Sequence, residues 1–459
     1  MTLPTLLAEN AYQLLTFDDQ RREISDGALF VRDGFIELVG TSAEVRAALR
    51  ERPDEILNLR DHVVLPGLIN THHHMFQSLT RVTPSGQDCE LFGWLRAHYG
   101  LWANLRSEMI YVSTLTAMAE LILSGCTTSS DHLYLYPNDC RLDDSIRAAN
   151  EIGMRFHAAR GSMSVGESKG GLPPDRVVED EEAILRDTQR LIETYHQRQR
   201  GAMLRIVVAP CSPFSVSQDL MRESARLARA YGVQLHTHLA ENENDVAYSR
   251  EQFGLTPAEY AESVAWLGAD VWHAHCVKLD AQGIERFART QTGVAHCPSS
   301  NMRLASGIAP IRAMLQAGVR LGLGVDGSAS NDSGHMLAEA RMAMLLQRVN
   351  GDPTALSGRQ ALELATRGGA AVLGRDDIGA LAVGMAADFI AINLNRVSFA
   401  GAWIDPAAAL VFCAPPTVDY SVINGRVIVR EGQLSTVDLP NILRQHNAYA
   451  RQLAEAPQR

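Results

Sequence analysis

The sequence predicts an α/β protein: a (β/α)8 TIM-like barrel carrying a small β-sandwich domain built from both termini. Three observations lead there. Between residues 63 and 375, eight short apolar runs that each end in polar residues alternate with stretches of helical periodicity. Hairpin patterning flanks this region on both sides. No glycine-rich phosphate turn follows any of the eight runs, which disfavours a doubly wound sheet. The expected boundaries are 1–62 and 376–437 for the β-sandwich, 63–375 for the barrel and 438–459 for a C-terminal helical segment.

The N-terminal part pairs Ala28–Val31 with Phe35–Gly40 across Asp33-Gly34, a turn dipeptide that suits a tight hairpin. The same pattern returns in Ala387–Ile392 and in Ser421–Val429, where Asn424-Gly425 sits between β-branched runs. The eight predicted barrel strands are Val63–Thr71, Thr127–His132, Arg155–Arg160, Leu204–Pro210, Gln234–His238, Val271–His275, Gly293–Cys297 and Val319–Asp326. Helical periodicity is clearest over Pro257–Leu267 and Ala309–Ala317. The stretch Gly161–Asp175, rich in Gly, Ser and Pro, reads as a mobile βα loop or lid.

The chain has 459 residues, with 42 basic against 53 acidic side chains and a net charge of −11. With no basic stripe to displace counterions, binding to a nucleic-acid backbone is disfavoured as a function. An apolar fraction of 46% with 21% charged residues is ordinary globular composition. No apolar run reaches the roughly 18 residues that span a bilayer, and the N-terminus lacks a basic start and an apolar core, so a cytoplasmic protein is expected. The seven cysteines are scattered without any CxxC, which predicts reduced thiols and no thiolate zinc site.

Histidines carry the chemistry instead. On a strand, His72 and His74 of His72-His73-His74 share one face. A second strand ends in His236-Thr237-His238 with Glu241 three residues on, a third in His273-Ala274-His275, and a fourth closes on Asp326. Four such endings fall at the face where barrel enzymes keep their active sites. Imidazole and carboxylate ligands suit Zn²⁺, with Fe²⁺ or Mn²⁺ as alternatives.

The order PGLIN-T-HHH, HTHLAE, HAHCV and GVDGSASND, together with the split β domain, resembles the amidohydrolase superfamily, and within it the mononuclear aminohydrolase branch. The resemblance spans essentially the whole chain. It implies one metal ion held by His72, His74, His238 and Asp326, with Glu241, His275 and Asp326 in proton transfer. Binuclear relatives use a carboxylated lysine at the end of strand three or four; here those strands end Ala158-Ala159-Arg160 and Ala209-Pro210-Cys211, so a single ion is expected. His73, His236 and His273 then fall beside the site as bystanders, and the role of His296 stays open.

Gln77, three residues past His74, would by this resemblance meet the pyrimidine edge of a fused heterocycle, and a carboxamide matches a lactam. Guanine deaminases place an arginine in the loop after strand four, where this chain has Cys211. The stretches HHHMFQSLTR, LFGWLRAHYG, LSGCTTSSDHLYLYP and DGSASNDSGHMLAEARMAMLLQR are similar to the bacterial 8-oxoguanine deaminases. This implies deamination of 8-oxoguanine to urate with release of ammonia, and Cys211 close to the 8-oxo group. Guanine or isoxanthopterin deamination and triazine chloro- or alkylamino-hydrolysis are the alternatives. Trp102 and Tyr134, with Tyr136 nearby, are expected to stack on the planar base, and Asn331 and Asp332 to shape a turn. The expected partner is a small heterocyclic base, with no nucleic acid or membrane, and a homo-oligomer is expected by analogy with other barrels.

Overall fold

A computed structural model describes residues 3–456. Its eight-stranded parallel barrel is closed, with strands Leu68–Asn70, Cys126–Leu133, Arg155–Ser162, Leu204–Pro210, Gln234–Leu239, Val271–His275, Gly293–His296 and Arg320–Leu323 in cyclic order. Such strands are buried on both faces, which is why they read as apolar runs. Ile69, Ala159, Val207, Ala209, Trp272 and Ala295 pack together with Ala370, Val372 and Leu373 in one buried cluster.

The first predicted strand, Val63–Thr71, is in fact two. His62–Pro66 pairs antiparallel with Phe389–Asn393 in the outer sheet, and only Leu68–Asn70 belongs to the barrel. The break falls at Gly67, where a Cβ would lie 2.1 Å from Thr127 Oγ1. Apolar residues continue on both sides of the crossing, and its sign in the sequence is the turn dipeptide Pro66-Gly67 inside the run. The eighth strand stops at Leu323, short of Asp326; past it, Val325 N donates to Asn70 Oδ1 (2.9 Å) and Asp326 N to the His72 carbonyl (3.1 Å).

Both termini build one nine-stranded sheet, in which Leu6–Leu15 pairs with Glu55–Asn58 through its first half and with His62–Pro66 through its second. The two hairpin dipeptides have left-handed backbone, Asp33 and Gly34 with φ of 49° and 82° and Asn424 and Gly425 with 50° and 76°. These are the values that match the twist of a two-residue hairpin. Arg155, at the start of the third barrel strand, clamps Asp388 of the sheet through Nε–Oδ2 at 2.7 Å and Nη2–Oδ1 at 2.9 Å, both side chains fully buried.

Helices occupy Pro257–Ser263, opened by a capping box of Thr256 and Glu259, and Ile311–Ala317, each shorter than its apolar periodicity. The stretch Gly161–Asp175 continues the third strand to Ser162, where two 3₁₀ turns, Glu167–Lys169 and Asp175–Val177, follow. Ser164 N and Val165 N donate to the Ser215 carbonyl and fasten this loop against the next one. A C-terminal helix, Leu439–Glu455, docks His446 Nε2 on Ser78 Oγ at 3.1 Å. Residues 1–2 and 457–459 of the expected segments lie outside the described residues. Among the described residues, no helix is long and apolar enough to cross a membrane.

Candidate active site

The strand endings bring His72, His74, His238, His275, Asp326 and Glu241 together in the barrel mouth. Hydrogen bonds fix which nitrogen of each ring faces inward. His74 Nδ1 donates to the His132 carbonyl (2.7 Å), His238 Nδ1 to the Cys211 carbonyl (2.6 Å) and His275 Nδ1 to Asn301 Oδ1 (2.9 Å). His236 gives its Nδ1 proton to the Trp272 carbonyl (3.0 Å), which leaves its Nε2 as an acceptor; His72 Nδ1 donates to that atom at 2.8 Å. The inward Nε2 atoms of His72, His74 and His238 are thereby the lone-pair nitrogens of neutral rings, whereas His275 turns its Nε2 to two carboxylates.

Lone pairs at this spacing require something positive between them. His74 Nε2 and His238 Nε2 are 3.1 Å apart, and Asp326 Oδ1 is 3.4 Å from both His72 Nε2 and His74 Nε2. Burial and the neighbouring rings hold His74 down to about 3 and His238 well below its ordinary value, so neither ring is a source of protons. Imidazoles with Nδ1 anchored on carbonyls and Nε2 converging on a carboxylate form the donor set and supporting shell of a divalent-cation site. His72, His74, His238 and Asp326 fit such an ion.

Asp326 accepts hydrogen bonds from Ser300 Oγ (2.6 Å) and Ser330 Oγ (3.1 Å) at Oδ2 and from Gly327 N (2.6 Å) at Oδ1. Burial raises its pKa, but the imidazoles of His72, His275 and His74 outweigh that and hold it well below the usual carboxylate range. His275 Nε2 stands 3.5 Å from Glu241 Oε2 and 3.9 Å from Asp326 Oδ2; burial pushes this ring down, and the two carboxylates more than compensate. Glu241 is buried, its Oε1 has no partner among the described residues, and burial lifts its pKa to about 7. Ala240, His275 and Asp326 all have left-handed φ (52°, 70° and 63°). Backbone strain of this kind clusters where function requires an exact side-chain direction.

The site opens on a small cavity in the barrel mouth. His74, His238, Glu241, His275 and Asp326 form its reactive wall, and Gln77, Tyr134, Cys211, Ser212 and Ser330 supply polar groups. Leu91, Trp94, Leu95, Tyr99, Phe214 and Leu304 form an apolar roof. Gln77 Nε2 donates to Tyr134 Oη at 3.2 Å. Burial pushes the Cys211 thiol up to about 12, so it is a neutral, protonated wall group.

Two aromatic expectations need correction. Trp102 is fully buried, donates Nε1–H to Thr80 Oγ1 (3.1 Å) and packs edge-on against Phe76; it does not reach the cavity. Trp94 and Tyr99 of the same helix, Leu91–Trp102, line it instead. This helix is apolar around much of its circumference, and hydrophobic patterning cannot tell its cavity side from its core side. Tyr136 also lies off the cavity, with its hydroxyl on the Leu133 carbonyl and the Arg160 guanidinium 4.0 Å over its ring.

The remaining residues separate cleanly. His273 donates to the Trp266 carbonyl as a packed strand histidine, and His73 Nδ1 accepts from His74 N. His236 is the unexpected one, because it touches the His72 ring directly. His296 is buried with neither ring nitrogen partnered among the described residues, and it is not part of the cavity wall. Asn331 ties Val325 to Glu339, and Asp332 binds Val82 N, so both hold the loop. The Gly161–Asp175 loop contributes nothing to the cavity wall. Sequence reasoning missed Ser300 and Asn301; their signal is a polar cluster directly after a barrel strand.

Comparisons with known proteins agree with this architecture. Residues 63–428 match the model of the Amidohydrolase family. The chain is 45% identical over 427 residues to 8-oxoguanine deaminase of Pseudomonas aeruginosa, covering 92% of this chain and 94% of that one. It is 40% identical to hydroxydechloroatrazine ethylaminohydrolase of Pseudomonas sp. (strain ADP), covering 95% and 93%. Among solved structures, atrazine chlorohydrolase from Arthrobacter aurescens TC1, complexed with zinc, superposes with a TM-score of 0.92 at 33% identity, covering 97% of this chain and 100% of that one.

Proposed function

The chain belongs to the amidohydrolase family, as a metal-dependent aminohydrolase, and on that premise we propose that it deaminates an amino-purine lactam, 8-oxoguanine, to urate and ammonia. The observation that carries this reading is the buried carboxylate of Glu241, whose Oε2 faces His275 and whose Oε1 has no partner among the described residues, sharing one cavity with the converging imidazoles and the Gln77 carboxamide. A site that merely stored metal would have no use for an unligated base beside it.

His72, His74, His238 and Asp326 would hold one divalent ion, Zn²⁺ being the best match to the donor set, and when bound it would supply the field that lowers the pKa of water to about 7. Glu241 takes the proton that the attacking water loses and delivers it to the ring nitrogen beside the amino-bearing carbon. His275, steadied by Asn301, orients the water from the side opposite its Asn301 bond. Asp326 relays the second proton to the departing amine, which leaves as ammonia while the ring carbon keeps the oxygen. Gln77 Oε1 accepts from the lactam N–H. Cys211, small and uncharged, leaves space for an oxo group on the five-membered ring, and Tyr134 with Trp94 flanks the base.

Likeness to the 8-oxoguanine deaminase supports the purine, while the apolar roof of Leu91, Leu95, Phe214 and Leu304 favours a second reading, release of an alkylamine from a hydroxytriazine. Assaying the zinc-loaded protein on 8-oxoguanine, guanine, isoxanthopterin and hydroxydechloroatrazine, with ammonia and ethylamine measured separately, distinguishes them. Fastest ammonia release from 8-oxoguanine is expected. Efficient turnover of guanine with 8-oxoguanine untouched would overturn the role given to Cys211.

A further inference from the structure

Gly327 follows the cavity carboxylate Asp326 directly. A Cβ built on it would meet Gln77 Oε1 at 1.8 Å, Cδ at 2.4 Å and Nε2 at 3.0 Å, so its three nearest neighbours all belong to one carboxamide. Gly327 does not have a left-handed φ, and alanine is therefore allowed by the backbone. What its missing methyl provides is the space that the Gln77 carboxamide fills.

The carboxamide is held from its other side by Tyr134. Gln77 Nε2 donates to Tyr134 Oη at 3.2 Å, while Gln77 Oε1 is buried without a partner among the described residues. A phenol hydroxyl donates as well as accepts, so Tyr134 keeps a proton to give while it accepts from Gln77. The wall thus offers an acceptor, Gln77 Oε1, beside a donor, Tyr134 O–H. An acceptor beside a donor is the complement of a cyclic amide, whose N–H and C=O are adjacent. An amidine edge, with a ring-nitrogen acceptor next to an amino donor, meets the same pair in the opposite order, so the pair reads a donor–acceptor edge of the base and not a lactam alone.

We propose that Gly327 is a positioning residue for substrate binding: by lacking a side chain it leaves the space that the Gln77 carboxamide fills while it bonds Tyr134, and so sets the orientation of the carboxamide that the base meets. The inference rests on the reading of Gln77 as a substrate contact. The contact is distant from the reacting carbon, so its loss raises KM and leaves kcat largely intact.

A double-mutant cycle on the zinc-loaded protein tests it, with Gly327→Ala, Gln77→Ala and the pair measured for kcat and KM on 8-oxoguanine, for metal content and for thermal stability. Gly327→Ala alone is expected to raise KM about tenfold, the size of one lost hydrogen bond at the upper end of its range, with metal content unchanged. In the Gln77→Ala background the same substitution is expected to change KM by less than about twofold, because the colliding group is gone. An equal effect in both backgrounds overturns the inference, as does metal loss on Gly327→Ala that persists in the pair. If Gly327→Ala does not fold, Gln77→Ala must restore folding; a pair as unstable as the single variant overturns it too. Unchanged KM in Gln77→Ala alone overturns both this inference and the substrate contact beneath it, whereas raised KM there with additive effects overturns this inference only.

Discussion

His72 donates its Nδ1 proton to His236 Nε2 across 2.8 Å, and this bond, between strands one and five of the barrel, decides which nitrogen of His72 faces the cavity. His236 can accept only because its own Nδ1 proton is committed to the Trp272 carbonyl. A backbone oxygen therefore sets the tautomer of the ring proposed to hold the cation, two hydrogen bonds away.

Replacing His236 by phenylalanine keeps a flat ring against Trp272 and removes the acceptor. Supporting-shell losses of this kind weaken metal affinity about 10- to 100-fold. Competition against a chromogenic chelator measures it, and affinity equal to the parent protein would show that His72 needs no such partner.

Glu241 must be ionised to accept a proton, and burial lifts its pKa to about 7. A raised carboxyl pKa means that the active form is present above that value and lost below it. The acid limb of kcat/KM is accordingly expected to fall through pH 7 by about a decade per unit, with metal content followed in parallel. A profile that is flat down to pH 5 would remove Glu241 from the role of base.

Trp94 and Trp102 separate cavity from core. Trp102→Phe is expected to lower stability by about 1–3 kcal/mol through lost packing, with KM within about twofold of the parent. Trp94→Phe, by contrast, is expected to raise KM. Denaturant unfolding and steady-state kinetics on both variants check the pair, and the opposite pattern would return Trp102 to the substrate.

Arg155 and Asp388 join barrel and sheet as a buried bidentate pair, in which Asp388 also accepts from Asn424 N (2.7 Å). Asp388→Ala leaves a guanidinium buried without its counter-charge, at a cost of about 3–5 kcal/mol. Equilibrium unfolding measures that loss, and a change below about 1 kcal/mol would mean that water or another carboxylate reaches Arg155.

Much of this was legible before any coordinates. Parallel barrel strands are buried on both faces, so they stand out as apolar runs; the strand period suggests that His72 and His74 share a face, and they do converge, although the strand itself ends at Asn70. The crossing at Gly67 is marked by the Pro66-Gly67 turn dipeptide, but a single apolar stretch on both sides of it reads as one strand. His236 was hidden for a different reason: it is separated from His238 by one residue, so patterning offers both and only a bond across the barrel tells ligand from support. The roof escaped because Trp94 and Trp102 stand eight residues apart on a helix that is apolar nearly all round, and which tryptophan meets the cavity is a matter of packing.

The central claim is that Glu241 moves protons at a cation site it does not help to hold. Metal content per chain and kcat for 8-oxoguanine, measured together on Glu241→Gln, test it most directly. The account predicts full metal content with kcat reduced by about 10²- to 10⁴-fold. Turnover near that of the parent protein, or loss of the metal along with the activity, would contradict it.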